Sequence, residues 1–122
     1  MRDHKALLGN LAVGDIFHAD SPNGASLICL VVSVTESTIH ARTVTTQTQL
    51  EFDRQTGVAV WGDDQVPCTI DSTAPLPLEV HNVMLGIDSK FRLEWNPERL
   101  KLNDAEKQAL LFVDAHYSSN RL

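Results

Sequence analysis

The sequence has few of the features that mark secreted or membrane proteins. The chain of 122 residues has two cysteines, and its longest apolar run is Leu27–Val32. That run is far shorter than the roughly 20 residues of a membrane helix. Mixed charges over Met1–Leu11 argue against a signal peptide, and two cysteines favour free thiols in a reducing compartment. We therefore expect a cytoplasmic protein, of a bacterium or phage, that does not bind a membrane.

An excess of positive charge is also absent. The chain has 10 basic and 16 acidic residues, which gives a net charge of −6. Nucleic-acid binding depends on Lys and Arg displacing counterions from phosphates, so this balance disfavours a nucleic-acid partner. A local basic patch would still permit one, because a surface patch need not follow the net sign.

Motifs of catalysis and cofactor binding are the third absence. The sequence contains no G-x-S-x-G, phosphate-binding Gly-rich loop, H-E-x-x-H or C-x-x-C. Its five histidines include no pair at the usual spacing of metal ligands, although His18 and His40 are predicted on neighbouring strands and would approach each other. We expect no catalytic residue, no metal and no cofactor, and the sequence favours a non-enzymatic protein.

What is present is the composition of one globular domain. Hydrophobic residues make up 43% of the chain and charged residues 21%, both ordinary values. The length is close to the commonest domain size. We expect one domain over residues 1–122, with a β-barrel at 14–61, a loop at 62–76 and a helical extension at 77–118 that packs on the barrel.

The first half of the chain has the alternating pattern of β-strands. Ala25–Thr35 is apolar on both faces, so it is predicted to be central, and Ser21–Gly24 (SPNG) before it is typical of a hairpin turn. Cys68–Ile70 is a candidate for a stray sixth strand. The five predicted strands are Gly14–Ala19, Ala25–Thr35, Thr38–Thr46, Gln47–Arg54 and Val58–Trp61.

Five short strands joined by tight turns favour closure, because a flat sheet would expose both edge strands. We predict an α+β, mainly β fold in which residues 14–61 form a small five-stranded antiparallel barrel, SH3-like or Sm-like. The alternation places Cys29 and Val31 on one face of the second strand, and Leu30 and Val34 on the other.

Two amphipathic helices are predicted after the barrel, at about 77–91 and 103–118. In the second, Asn103 followed by Glu106 has the spacing of a capping box. One face of the first carries apolar residues at helical spacing, namely Val80, Met84, Ile87 and Phe91.

The outward side of the third and fourth predicted strands is the best candidate binding surface. It is polar and rich in threonine, and it holds Arg42 and Arg54, the only cations between Lys5 and Lys90. Such a face is also what strand propensity and solvation alone would produce. The candidate binding residues are His40, Arg42, Gln47, Gln49, Glu51 and Arg54.

A second candidate is a basic and aromatic stretch at residues 90–101. Such residues can form a stacking platform for single-stranded nucleic acid. Glu94 and Glu98 lower its net charge to +2, and Phe91 and Trp95 also suit a structural role in covering the barrel. The residues of this alternative patch are Lys90, Arg92, Trp95, Arg99 and Lys101.

Three functions remain in competition. The favoured one is a non-enzymatic binding or adaptor module for a protein partner or for itself, acting through the polar strand face, a strand edge or a helix surface. The second is a nucleic-acid-binding barrel, an analogy at the level of the fold. The third is an enzyme or small-ligand protein with a site between barrel and helices, for which the candidates are His18, His40, Asp53 and Cys68.

Overall fold

The computed structural model describes residues 8–20, 26–59, 68–94 and 101–120. Within them it contains five strands and two complete helices, so the α+β, mainly β class is confirmed. The strands are β1 (Ile16–Asp20), β2 (Ser26–Val34), β3 (Thr38–Thr43), β4 (Gln49–Asp53) and β5 (Thr69–Ser72). The helices are α1 (Leu78–Leu93) and α2 (Asp104–Ser119).

The strands form one curled antiparallel sheet in the order β4-β3-β2-β1-β5. A two-residue segment joins its outer strands, because Ala59 bridges Phe52 of β4 and Val58 bridges Thr69 of β5. The Asp53 amide donates to the Val58 carbonyl at 2.8 Å, which continues the link. Val58 and Ala59 therefore connect the two edge strands, β4 and β5, and partly close the sheet.

The fifth strand lies further along the chain than the sequence predicts. Val58 and Ala59 form only isolated bridges, and the rest of the predicted strand Val58–Trp61 lies outside the described residues. The strand that pairs with β1 is Thr69–Ser72, which overlaps the stray strand predicted at Cys68–Ile70. Only two residues of this strand are buried, Ile70 and Ser72, and so short an alternation of buried and exposed residues resembles the pattern of a loop. The sheet therefore extends beyond residue 61 into the predicted loop at 62–76.

The boundaries of the other strands differ less from the predicted ones. The β1 and β2 strands pair as a hairpin, whose predicted turn at Ser21–Gly24 lies outside the described residues. The observed strands β3 and β4 are both shorter than predicted, because a turn separates Thr43 from Thr48. In that turn Gln47 adopts a left-handed backbone with φ of 57°.

Two apolar cores lie on opposite sides of β2, as its pattern predicts. The inner core includes Cys29 and Val31, and Phe17 meets Phe52 edge to face there at 5.3 Å between ring centroids. The outer core joins the sheet to both helices, and its buried members are Ile16, Leu30, Val44, Met84, Ile87, Ala109, Val113 and Tyr117.

One residue of β2, Val34, lies on the opposite face of the strand from the one predicted. Val34 packs against the inner core rather than with Leu30. The pairing register with β3 shifts between Val31 and Ser33, and this bulge adds a residue that reverses the alternation. A bulge changes which face a side chain occupies without a clear signal in the hydrophobic pattern.

Both helices begin and end close to the predicted positions. The capping box of α2 is present, since the Glu106 amide donates to Asn103 Oδ1 at 2.8 Å and the Asn103 amide to Glu106 Oε1 at 2.9 Å. The Tyr117 hydroxyl donates to the Ile16 carbonyl at 3.0 Å, which ties α2 to β1. The predicted packing of the helices on the sheet is thus built from both apolar and polar contacts.

Candidate functional site

Three of the six predicted binding residues are engaged inside the molecule. Arg42, on the outer face of β3, donates from Nε and Nη2 to the two carboxylate oxygens of Asp88 on α1, at 2.9 and 2.8 Å. Gln47 donates to Asp88 Oδ1 at 2.9 Å and to the Val44 carbonyl at 2.8 Å. Arg42 and Gln47 therefore hold the first helix on the sheet.

The same contacts explain how a carboxylate is tolerated at a position only 3% exposed. Burial by itself would raise the pKa of Asp88, but hydrogen bonds from Arg42 and Gln47, together with the charge of Arg42, hold the pKa below its usual value. The left-handed turn at Gln47 brings the side-chain amide to this carboxylate. The local backbone of the turn thus completes the ionic contact.

Arg54 is the third engaged residue. Its Nη1 donates to the Thr35 carbonyl at 2.6 Å, and its Nη2 donates to the Gly9 and Leu11 carbonyls at 2.8 and 3.0 Å. These bonds fasten the residues that precede β1 to the turn after β2. The guanidinium is therefore committed to backbone carbonyls and is not presented to an anionic partner.

The other three predicted residues, His40, Gln49 and Glu51, form the open strand face together with Val32. His40 and Glu51 are paired in the β3–β4 register, with 3.1 Å between Nε2 and Oε1. The Thr38 hydroxyl lies 3.3 Å from His40 Nε2. The open strand face borders a shallow cavity of about 340 Å³. Of the predicted polar surface, His40, Gln49 and Glu51 remain partly or fully exposed.

The alternative basic patch is only partly described, since Trp95 and Arg99 lie outside the described residues. Lys90 Nζ donates to Glu106 Oε1 at 2.6 Å. This bond, with one from the Asn103 amide, lowers the pKa of Glu106. The positive charge of Lys90 is therefore compensated within the chain.

Arg92 and Lys101, the other described members of the patch, are exposed. The Arg92 guanidinium donates to Ser89 Oγ at 3.3 Å. Lys101 borders a cavity of about 370 Å³ together with Lys90, Leu93 and Glu94. The cavity thus holds two cations and one carboxylate, a weak positive balance for binding phosphates.

The residues proposed for an enzymatic site are not brought together in the described part of the chain. His18 and His40 are predicted neighbours, but β2 lies between their strands. His18 faces α2, with its ring centroid 5.6 Å from that of Tyr117, and its Nδ1 lies 2.5 Å from Asp71 Oδ1. His40 belongs to the open strand face on the other side of β2.

The remaining two candidates have local roles. Asp53 Oδ1 accepts hydrogen bonds from the Gln55 and Thr56 amides at 2.7 and 3.0 Å, and these bonds lower the pKa of Asp53. Cys68 is buried in the inner core, where burial raises the pKa of its thiol. Among the described residues, no group of three His, Cys, Asp or Glu side chains is arranged to hold a metal ion.

A groove between the two helices gives residues to the helix surface that the sequence predicts only in general terms. It has a volume of about 360 Å³, and Phe112 on its wall remains 43% exposed. The sequence pattern that indicates this groove is the presence of apolar residues beside the buried face of each helix. The helix groove is defined by its lining residues, Glu79, Val80, Val83, Ala105, Gln108, Ala109 and Phe112.

A feature that the sequence prediction missed is a cavity of about 160 Å³ where the start of β1 meets the start of α1. Three polar side chains from separate segments, Asp15, Thr73 and His81, line it. No spacing rule relates these residues, because only the fold brings their segments together. The seam pocket is defined by its lining residues, Leu11, Asp15, Ile16, Thr73, Pro75, Leu76 and His81.

Comparison of the chain with protein-family models, with curated proteins and with solved structures finds no match. In the residues that the structure describes, neither helix is long and apolar enough to cross a membrane.

Proposed function

We propose that this chain is a non-enzymatic binding module of the bacterial cytoplasm that holds a protein partner in the helix groove. The observation that carries the proposal is the ring of Phe112, which remains 43% exposed in a groove walled mainly by apolar side chains. An exposed aromatic residue among apolar neighbours is the usual anchor of a protein interface.

The partner we propose is an amphipathic helix with basic residues along its polar side. Both α1 and α2 have 16 residues, so each is about 24 Å long and offers several turns of contact. An amphipathic helix places its apolar face into such a groove. Glu79 is the one charged residue that lines the described groove, and the chain carries a net charge of −6. This charge favours a partner of positive sign.

The contacts of the sheet support a helix surface over the two alternatives predicted with it. Arg42, Gln47 and Arg54 are bound to groups of the chain itself, so half of the predicted polar binding residues are already engaged. The bridges made by Val58 and Ala59 occupy part of both outer strand edges. Partner binding by added strand pairing is disfavoured where an edge is already paired.

We also propose that the curled sheet is an SH3-like (or Sm-like) barrel. The support is its size, the long bent β2 shared by both cores, and a final strand that returns to pair with β1. A nucleic-acid-binding barrel is less well supported. Lys90 is neutralised by Glu106 and Arg42 by Asp88, so two cations of the candidate patches are paired internally.

The proposal is tested by photo-cross-linking in cells that make the full chain, followed by binding measurements. A benzoylphenylalanine at position 112 is expected to capture one protein with a basic amphipathic helix. The control carries the same group at Gln55, an exposed turn residue of the sheet. Equal capture at both positions, or none at 112, would overturn the proposal. Adducts only with a second copy of this chain would replace the partner by self-association, and adducts only with RNA would favour the nucleic-acid function.

The captured partner is then titrated with purified variants. Phe112→Ser is expected to weaken binding at least about tenfold, since it removes the aromatic anchor. Leu111→Ser is the matched control, because Leu111 is 67% exposed on the same helix and does not line the groove. Equal affinities of the two variants would contradict the proposed site. Far-ultraviolet circular dichroism of both variants checks that α2 remains folded.

A further inference from the structure

We propose that the seam pocket is a binding site for a small organic cation, a short-chain ammonium compound. Three polar side chains from different segments converge there on one cavity. Asp15 precedes β1, Thr73 follows β5, and His81 lies in the second turn of α1. This site is independent of the helix groove and of the partner proposed for it.

The carboxylate of Asp15 decides the sign of the ligand. Its Oδ2 accepts a hydrogen bond from the Ala12 amide at 2.9 Å. Among the described residues, no group donates to its Oδ1, and no Lys or Arg lines the pocket. A half-buried carboxylate with one uncommitted oxygen favours a charged donor, because a hydrogen bond between ions is stronger than one between neutral groups.

The size and the walls of the pocket limit the rest of the ligand. A volume of about 160 Å³ corresponds to roughly five water molecules at about 30 Å³ each. A ligand with about five non-hydrogen atoms therefore fits. The apolar side chains of Leu11, Ile16 and Leu76 suit a short hydrocarbon, while Thr73 and His81 offer hydrogen-bonding groups beside the cationic head.

The test uses n-butylammonium chloride as the probe, with the full chain labelled with ¹⁵N and observed by heteronuclear NMR at near-neutral pH. We expect saturable shifts confined to the segments of the seam pocket, with a dissociation constant on the order of 1 mM. Sodium butyrate and 1-butanol are titrated at the same ionic strength. Equal shifts with butyrate would show an anion site, and equal shifts with butanol would show an apolar cavity; either result overturns the proposal.

Two variants identify the residue responsible. Asp15→Asn is expected to weaken binding of n-butylammonium at least about tenfold, since it removes the charge that faces the ammonium group. Glu36→Gln removes the same charge from an exposed turn and is expected to leave the affinity unchanged. If both variants bind as the parent chain does, or if the parent shows no shifts at about 20 mM probe, the assignment is wrong.

Discussion

Arg42 of β3 and Asp88 of α1 form a two-point ion pair that fixes the outer face of the sheet to the first helix. Only 4% of the Asp88 side chain is exposed, against 23% for Arg42. The sequence predicts Arg42 to be a candidate binding residue for a partner outside the molecule. The anion it meets is supplied by the chain's own helix, and Gln47 completes the contact.

Removing the charge of Asp88 is expected to destabilise the protein in a pH-dependent way. Asp88→Asn should lower the free energy of unfolding by about 2 kcal/mol at neutral pH, because it leaves Arg42 without its partner; the partial exposure of Arg42 keeps this loss below that of a fully buried pair. The folded state lowers the pKa of Asp88, so its stabilisation is present above the carboxyl pKa of the unfolded chain and is lost as pH falls through the folded pKa.

Urea denaturation at neutral pH and near pH 3 measures this difference. The gap between the parent chain and Asp88→Asn should shrink at the lower pH. Glu36→Gln, on an exposed turn, is the control and should change stability little at either pH. A gap of equal size at both pH values would mean that the charge of Asp88 contributes nothing to the contact.

Loss of the α2 cap is expected to lower the stability of the protein moderately, and a different capping residue should restore it. Asn103→Ala removes the acceptor of the Glu106 amide and should cost about 1 kcal/mol, or about 4 °C in melting temperature. Asn103→Asp retains an oxygen at the same place and should restore the stability. Thermal denaturation of the three proteins checks this. Equal destabilisation by both substitutions would argue against a capping role for the side chain.

Both thiols are expected to react slowly in the folded protein. Cys29 is fully buried and Cys68 is 6% exposed, and burial raises the pKa of each thiol, so little thiolate is available to a reagent. Labelling with Ellman's reagent should be at least about a hundredfold slower in the native protein than in urea. Cys68→Ser reports on Cys29 alone. Rapid labelling of the native parent chain would show that the inner core opens easily.

Local patterns predicted the elements well wherever the signal lies within a few residues. The double-sided apolar run of β2, the apolar stripe of α1 and the Asn103–Glu106 box all correspond to observed structure. The strand Thr69–Ser72 was anticipated only as a stray strand at Cys68–Ile70, because four residues with three polar members carry almost no pattern. Its place beside β1 depends on pairing with a strand about fifty residues earlier in the chain.

The candidate binding surface stays a prediction, and the structure shows where its residues lie on the sheet. Alternation correctly placed His40 and Arg42 on the outward face of β3, opposite Ile39 and Ala41. It does not show which outward residues a helix will cover. Arg42 contacts Asp88 of α1 and His40 pairs with Glu51 of β4, and that difference follows from where the helix packs rather than from the strand.

The sequence by itself determined the class of the fold, the central place of β2 and the limits of both helices, since these depend on short-range periodicity and on capping side chains. The tertiary structure decided the partner of Arg42, the identity of the last strand, and the meeting of Asp15, Thr73 and His81 in one pocket. Those relationships join residues far apart in the chain. Contacts of this kind are fixed by how the sheet curls and where the helices pack, and no local rule of spacing contains that information.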